Sequence, residues 1–193
     1  MKRIWIGLLL LALLLAGCGE AETDLHPEWP EAWLRFGNLM AMETPADFTL
    51  GEYNDILSPE GIWYVMFNCG DESKTLHGEK EGEEIVYYDA QLFLVLKECG
   101  SEAEARANVR DWEAREGENY SMGDRRELDA AEQSFAFYPL LSGREGNPYT
   151  HGAAAFAVRG ELAISAELLC TEDFAGDPQA ILEQFLNGIH YGE

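Results

Sequence analysis

The chain has 193 residues, with 13 basic and 36 acidic side chains and a formal charge of −23. Hydrophobic residues at 47% and charged residues at 25% exclude an intrinsically disordered chain, and the length fits one domain. The excess of carboxylates excludes charge-driven affinity for nucleic acid or for anionic lipid, both of which need lysine and arginine.

Met1-Lys2-Arg3 is a basic start, and Ile4 to Ala16 is an almost unbroken apolar run. That combination, followed by small residues, predicts a secretory signal peptide over 1–17. The run is shorter than the ~20 residues that a spanning helix needs. Leu15-Ala16-Gly17-Cys18 resembles the lipobox of bacterial lipoproteins. The resemblance implies cleavage before Cys18, a diacylglycerol thioether on its sulfur and an acyl chain on its new amine. Two or more chains anchor stably, since each buried CH2 contributes about 0.8 kcal/mol. The implied place is the extracytoplasmic face of the bacterial cell envelope, with the membrane as partner through Cys18. Gly19 carries no retention signal for one membrane over another. Residues 18–30 hold two prolines and four acids after the cysteine and read as a tether reaching roughly 20 Å. Residues 31–193 read as a single extracytoplasmic domain.

Within that domain, Leu39 to Met42 predicts a short strand ending before Pro45, and Phe48 to Tyr53 a second one. Ser58-Pro59-Glu60-Gly61 is a turn signal. Ile62 to Cys69, rich in aromatic and β-branched residues, predicts a strand. Asp71 to Glu84 is a charged stretch, read as a solvated hairpin loop rather than a Ca2+ site because it lacks the EF-hand order. Ile85 to Tyr88 and Gln91 to Cys99 follow as strands. Leu92-Phe93-Leu94-Val95-Leu96 is continuously apolar, which predicts a central strand buried on both faces.

Ser101 with Glu104 forms a capping box that opens a helix ending at Gly117. Ala105, Val109 and Trp112 make its apolar stripe, and Glu102 pairs with Arg106. Glu132 to Leu141 predicts a strand, Ser142 to Gly152 a glycine-rich loop, and Ala153 to Val158 with Leu162 to Cys170 a hairpin. Asp177 is the N-cap of a second helix with Pro178 at its first position. Its buried face is Ile181, Leu182, Phe185, Leu186 and Ile189.

This order predicts an α+β fold: an antiparallel sheet of about six to seven strands with two main helices packed on it. The order resembles the PsbP-like fold of extracytoplasmic lipoproteins. The points of contact are the early strand with Met42-Glu43-Thr44-Pro45, the strand at Ile62 to Cys69, the strand–helix unit ending near Trp112, and the closing hairpin and helix. The resemblance implies a binding, assembly or sensing module.

Beyond Cys18, three cysteines remain. Cys99 and Cys170 each end a strand leading into a helix. If those strands run parallel, the two thiols share one end of the sheet and form the favoured disulfide, with Cys69 at the far end. The alternative is three buried free thiols. The four histidines, His26, His77, His151 and His190, stand without paired spacing, and there is no CxxC motif. No catalytic or cofactor motif is present, so no cofactor and no enzyme activity is expected. The loop from Ser142 to Gly152 carries Arg144, Tyr149 and His151, a candidate binding loop for an anion or a partner's side chain. Trp29 and Trp33 read as aromatics fastening the first element to the core. The sequence therefore predicts a lipid-anchored binding, scaffolding or sensing module with an envelope protein as possible partner. The alternatives are an envelope hydrolase with a spatially assembled site, or a small-molecule or cation binder.

Overall fold

The computed structural model describes residues 29–54, 58, 60–70, 76–80 and 83–192, with backbone alone at 76–80 and 83–86. The expected signal peptide, Cys18, His26 and the tether up to residue 28 lie outside the described residues, as do 71–75, 81 and 82 of the charged stretch; its remaining residues, expected as a loop, lie in two paired strands.

The protein is α+β. Its main sheet has eight strands, in the order β3 (Thr49–Asn54), β4 (Ile62–Cys69), β7 (Ala90–Glu98), β12 (Leu162–Cys170), β11 (His151–Arg159), β10 (Gln133–Gly143) and β8 (Tyr120–Met122), with β9 (Arg126–Ala130) also pairing β10. Every neighbour runs antiparallel. A small sheet joins β1 (Leu34–Phe36), β2 (Met40–Met42) and β13 (Ile189–Tyr191), and β5 (Leu76–Lys80) pairs with β6 (Glu83–Tyr87). The predicted strands are present. The short β1, β5, β8, β9 and β13 were not legible, because three to five residues give no period to read.

Two layers cover the main sheet. Helix α1 (Glu102–Asn119) lies on one face, over β8, β11 and β12, and helix α2 (Pro178–Asn187) lies on the other with the small sheet. On the α2 face, Ala90, Leu92, Leu94 and Leu96 of β7 are wholly buried together with Phe67, Phe135, Phe137 and Ile164. Each such leucine or phenylalanine contributes roughly 1.5–3 kcal/mol of burial. Phe93 and Val95 point to the α1 face and are half-buried. So β7 is central, as its composition predicts, but it is fully buried on one face only. Helix α1 spans β8, β11 and β12 and leaves β7 partly open.

The caps explain where the helices start. Ser101 accepts from the Glu104 N–H at 3.2 Å, while the Glu104 carboxylate accepts from the Gly100 N–H at 3.0 Å. Asp177 accepts from the N–H groups of Gln179 and Ala180, with Pro178 at the first position. Glu102 pairs with Arg106 as expected. Gly117 does not stop α1, which continues to Asn119 and closes on Tyr120 in extended conformation. Its stripe also continues: after Ala105, Val109 and Trp112 the next inward position is Glu116, which is buried.

Candidate functional site

A groove of about 710 Å3 lies on the α2 side, between the small sheet and the helix. One wall is α2 itself. Ile181, Gln184, Phe185 and Gly188 fall at i, i+3, i+4 and i+7 and line it together. Phe174 and Gly176 extend that wall from the loop before the helix. A Cβ on Gly176 would stand 2.6 Å from the Phe174 ring and 2.9 Å from Ile181 Cδ1, so glycine lets these two apolar groups close up.

The opposite wall is the segment from Met42 to Phe48, which carries the chain from the small sheet to β3. The Phe48 N–H donates to the Pro45 carbonyl at 3.2 Å, closing a turn with Asp47 at φ 66°. That is the position of a type II turn where glycine is usual. An aspartate there costs of order 1 kcal/mol of backbone strain. Asp47 is exposed at the rim, as is Glu43. Glu43 accepts from Trp33 Nε1 at 2.8 Å, and the Trp33 ring stacks on His190 with centroids 4.5 Å apart. Trp33, Phe48, Phe174 and Phe185 give the interior its aromatic surface, and no lysine or arginine lines it among the described residues. Cys69, at the end of β4, reaches the groove as well. Burial, then the Asp89 and Asp47 carboxylates, push its thiol up.

Sequence reasoning missed this groove. It placed Trp33 against the core and read His190 as isolated. One wall comes from residues 33–48, with Cys69 beside it, and the other from residues 174–190, more than a hundred residues later, so no local spacing announces them. The one available signal is on α2, where Gln184 and Gly188 interrupt the apolar face.

The predicted cysteine pairing is corrected. Strands β7 and β12 are antiparallel neighbours, with Glu98 opposite Leu162 and Ala90 opposite Cys170. Cys99 and Cys170 therefore lie at opposite ends of the sheet, roughly 30 Å apart at ~3.3 Å per residue. A disulfide needs Cα atoms within about 7 Å. Cys69, Cys99 and Cys170 are all free thiols.

The predicted binding loop does not assemble as one surface. Strands β10 and β11 extend inward from both sides and leave only residues 144–150 between them. Arg144 is exposed and His151 is half-buried in β11, opposite Cys170. Tyr149 turns inward. It is buried, donates its hydroxyl to Gln91 Oε1 at 2.5 Å, and meets Tyr87 edge-on at 5.9 Å between centroids. Asn147 Nδ2 donates to the Tyr120 hydroxyl at 3.0 Å, which fastens the loop to β8. Tyr149 is thus a structural anchor of the α1-side core, and it is not presented with Arg144.

A second unusual arrangement lies beneath α1. Glu116 of the helix and Glu167 of β12 are electrostatic neighbours, with Arg115 as the nearby positive charge. Burial and the Glu167 charge push the Glu116 carboxyl up to about 7. Burial also pushes Glu167 up, against the hydrogen bond it accepts from Ser165 Oγ at 2.9 Å. Two carboxyls in one poorly hydrated place resist ionising together.

No protein-family model matches the chain, and no curated protein sequence matches it. Among solved structures, the chain is similar to a crystal structure of a protein from Bacteroides thetaiotaomicron, at 12% identity and a TM-score of 0.47 over 80% of this chain. The chain spans 46% of that protein's length. It is also similar to the solution structure of cyanobacterial PsbP (CyanoP) from Synechocystis, at 12% identity and a TM-score of 0.47, over 86% of this chain and 95% of that one.

Proposed function

We propose that the protein is a binding module of the bacterial cell envelope, held at its membrane by lipid on Cys18, with the groove between α2 and the small sheet as its binding site. The observation that carries this is the groove itself. It is a preformed concavity of about 710 Å3, apolar and aromatic within and acidic at the rim. Small-molecule sites have this size and this pattern of a few polar groups on an apolar lining. The location rests on the resemblance of Leu15-Ala16-Gly17-Cys18 to a lipobox.

One observation favours the hydrolase reading, since His190 and Cys69 line the same groove. Against it, a nucleophilic cysteine needs a depressed pKa, and Cys69 is pushed the other way by burial and two carboxylates. His190 spends its ring face on Trp33.

The test is photo-crosslinking in cells from a reactive residue placed at Gln184, on the groove wall, against one at exposed Glu161 on the β11–β12 turn. A defined adduct from Gln184 alone supports the binding reading, and equal background from both sites defeats it. Labelling with an alkynyl fatty acid that disappears in Cys18→Ala tests the anchor.

A further inference from the structure

We infer that the groove takes an apolar organic cation: the faces of Trp33, Phe48, Phe174 and Phe185 receive its hydrocarbon body, and the Glu43 and Asp47 carboxylates at the mouth receive its ammonium charge. This rests on the groove being the binding site, and it adds the chemical class of the ligand.

Three features converge on that class. First, Trp33, Phe48, Phe174 and Phe185 line the groove, and aromatic rings attract a cation once it leaves water and also pack against alkyl groups. Second, charge in the lining is one-sided. Glu43 and Asp47 stand at the rim with no lysine or arginine beside them among the described residues, and the whole chain carries −23. An anionic ligand meets repulsion at the mouth and at long range, whereas a cation is drawn in. Third, Asp47 holds a backbone conformation that glycine would adopt without strain. The turn places the exposed Asp47 at the rim.

The groove also limits the size of the ligand. At about 710 Å3 it admits a single drug-sized molecule, so the cation is small. Trp33 is already fixed on two sides, by its hydrogen bond to Glu43 and its stack on His190. It therefore forms a preordered wall, which reduces the entropy lost on binding.

The test compares three probes on the full chain reconstituted in phosphatidylcholine nanodiscs, by calorimetry, with empty nanodiscs subtracted. The probes are benzyltrimethylammonium, neutral benzyl alcohol and anionic phenylmethanesulfonate. The expected order is cation, then alcohol, then sulfonate, with the cation about ten-fold tighter than the alcohol at low salt and the gap narrowing as salt screens the rim. The doubly substituted protein, Glu43→Gln with Asp47→Asn, should lose most of that preference. Both residues are exposed, the carboxamide oxygen still accepts from Trp33 Nε1, and asparagine tolerates the left-handed turn. An unchanged thermal midpoint confirms that the variant folds. Cation and alcohol binding equally well overturns the cation inference and leaves the groove as a binding site. No binding of any probe, at concentrations where empty nanodiscs also show none, overturns both readings.

Discussion

Cys69 of β4 and Cys170 of β12 stand opposite the same residue of β7, Ala90, one on each side of it. The two thiols share the α2 face of the sheet, and the Cys69 charge adds to burial in raising Cys170. Two strand spacings separate them, roughly 10 Å, which is too far for a disulfide without moving the sheet. They differ in access: Cys69 opens to the groove, whereas Cys170 is wholly buried and pushed by burial up to about 12.

That difference sets an order of alkylation. In the native protein iodoacetamide should reach Cys69 first and Cys170 last, as read by peptide mass spectrometry over time. A groove ligand should slow Cys69 and leave the other two unchanged. A non-reduced digest containing a peptide that joins Cys99 to Cys170 would contradict the sheet order.

Glu116 should make stability fall as pH rises. Its folded carboxyl is pushed up from 4.5 to about 7. The folded state therefore binds more protons than the unfolded one between those values. The cost of ionising it is absent below about pH 4.5, grows towards pH 7 and is fully present above, at most ~3 kcal/mol. Glu116→Gln should match the parent protein near pH 4 and exceed its denaturation midpoint at pH 8. Parallel curves for the two proteins across this range would show that Glu116 carries no such cost.

Asp47 links strain to binding. Asp47→Gly should raise stability by up to about 1 kcal/mol, because glycine adopts the left-handed position freely. The same change removes a rim carboxylate and should weaken benzyltrimethylammonium several-fold. Chemical denaturation and calorimetry on one preparation check both halves. A variant less stable than the parent would remove the strain account.

The β9–β10 turn offers a stability gain remote from the groove. Ala131 and Glu132 have φ of 48° and 61°, a mirror-image turn in which asparagine and glycine fit best. Ala131→Asn with Glu132→Gly should raise the thermal midpoint, by about 0.5–1 kcal/mol in free energy, without altering binding of the cation probe.

Local chemistry alone determined a good part of this protein. Ser101 and Glu104, and Asp177 with Pro178, mark both helix starts, because capping is settled within four residues. Ile62 to Cys69 and Leu162 to Cys170 are strands whose limits the sequence places to the residue. The α+β class follows from the order of such segments. Strand direction and neighbourhood were decided only by the tertiary structure. Two strand–helix units that look alike in sequence are antiparallel partners in the sheet, so their cysteines point apart rather than together. Helix α1 ran past Gly117 because its end is fixed by docking on β8, β11 and β12, and that same docking buried Glu116. The groove is the extreme case. Trp33, Asp47, Cys69 and Phe174 meet only once the small sheet has closed over α2, and the sequence carries no local energy that registers so distant a meeting.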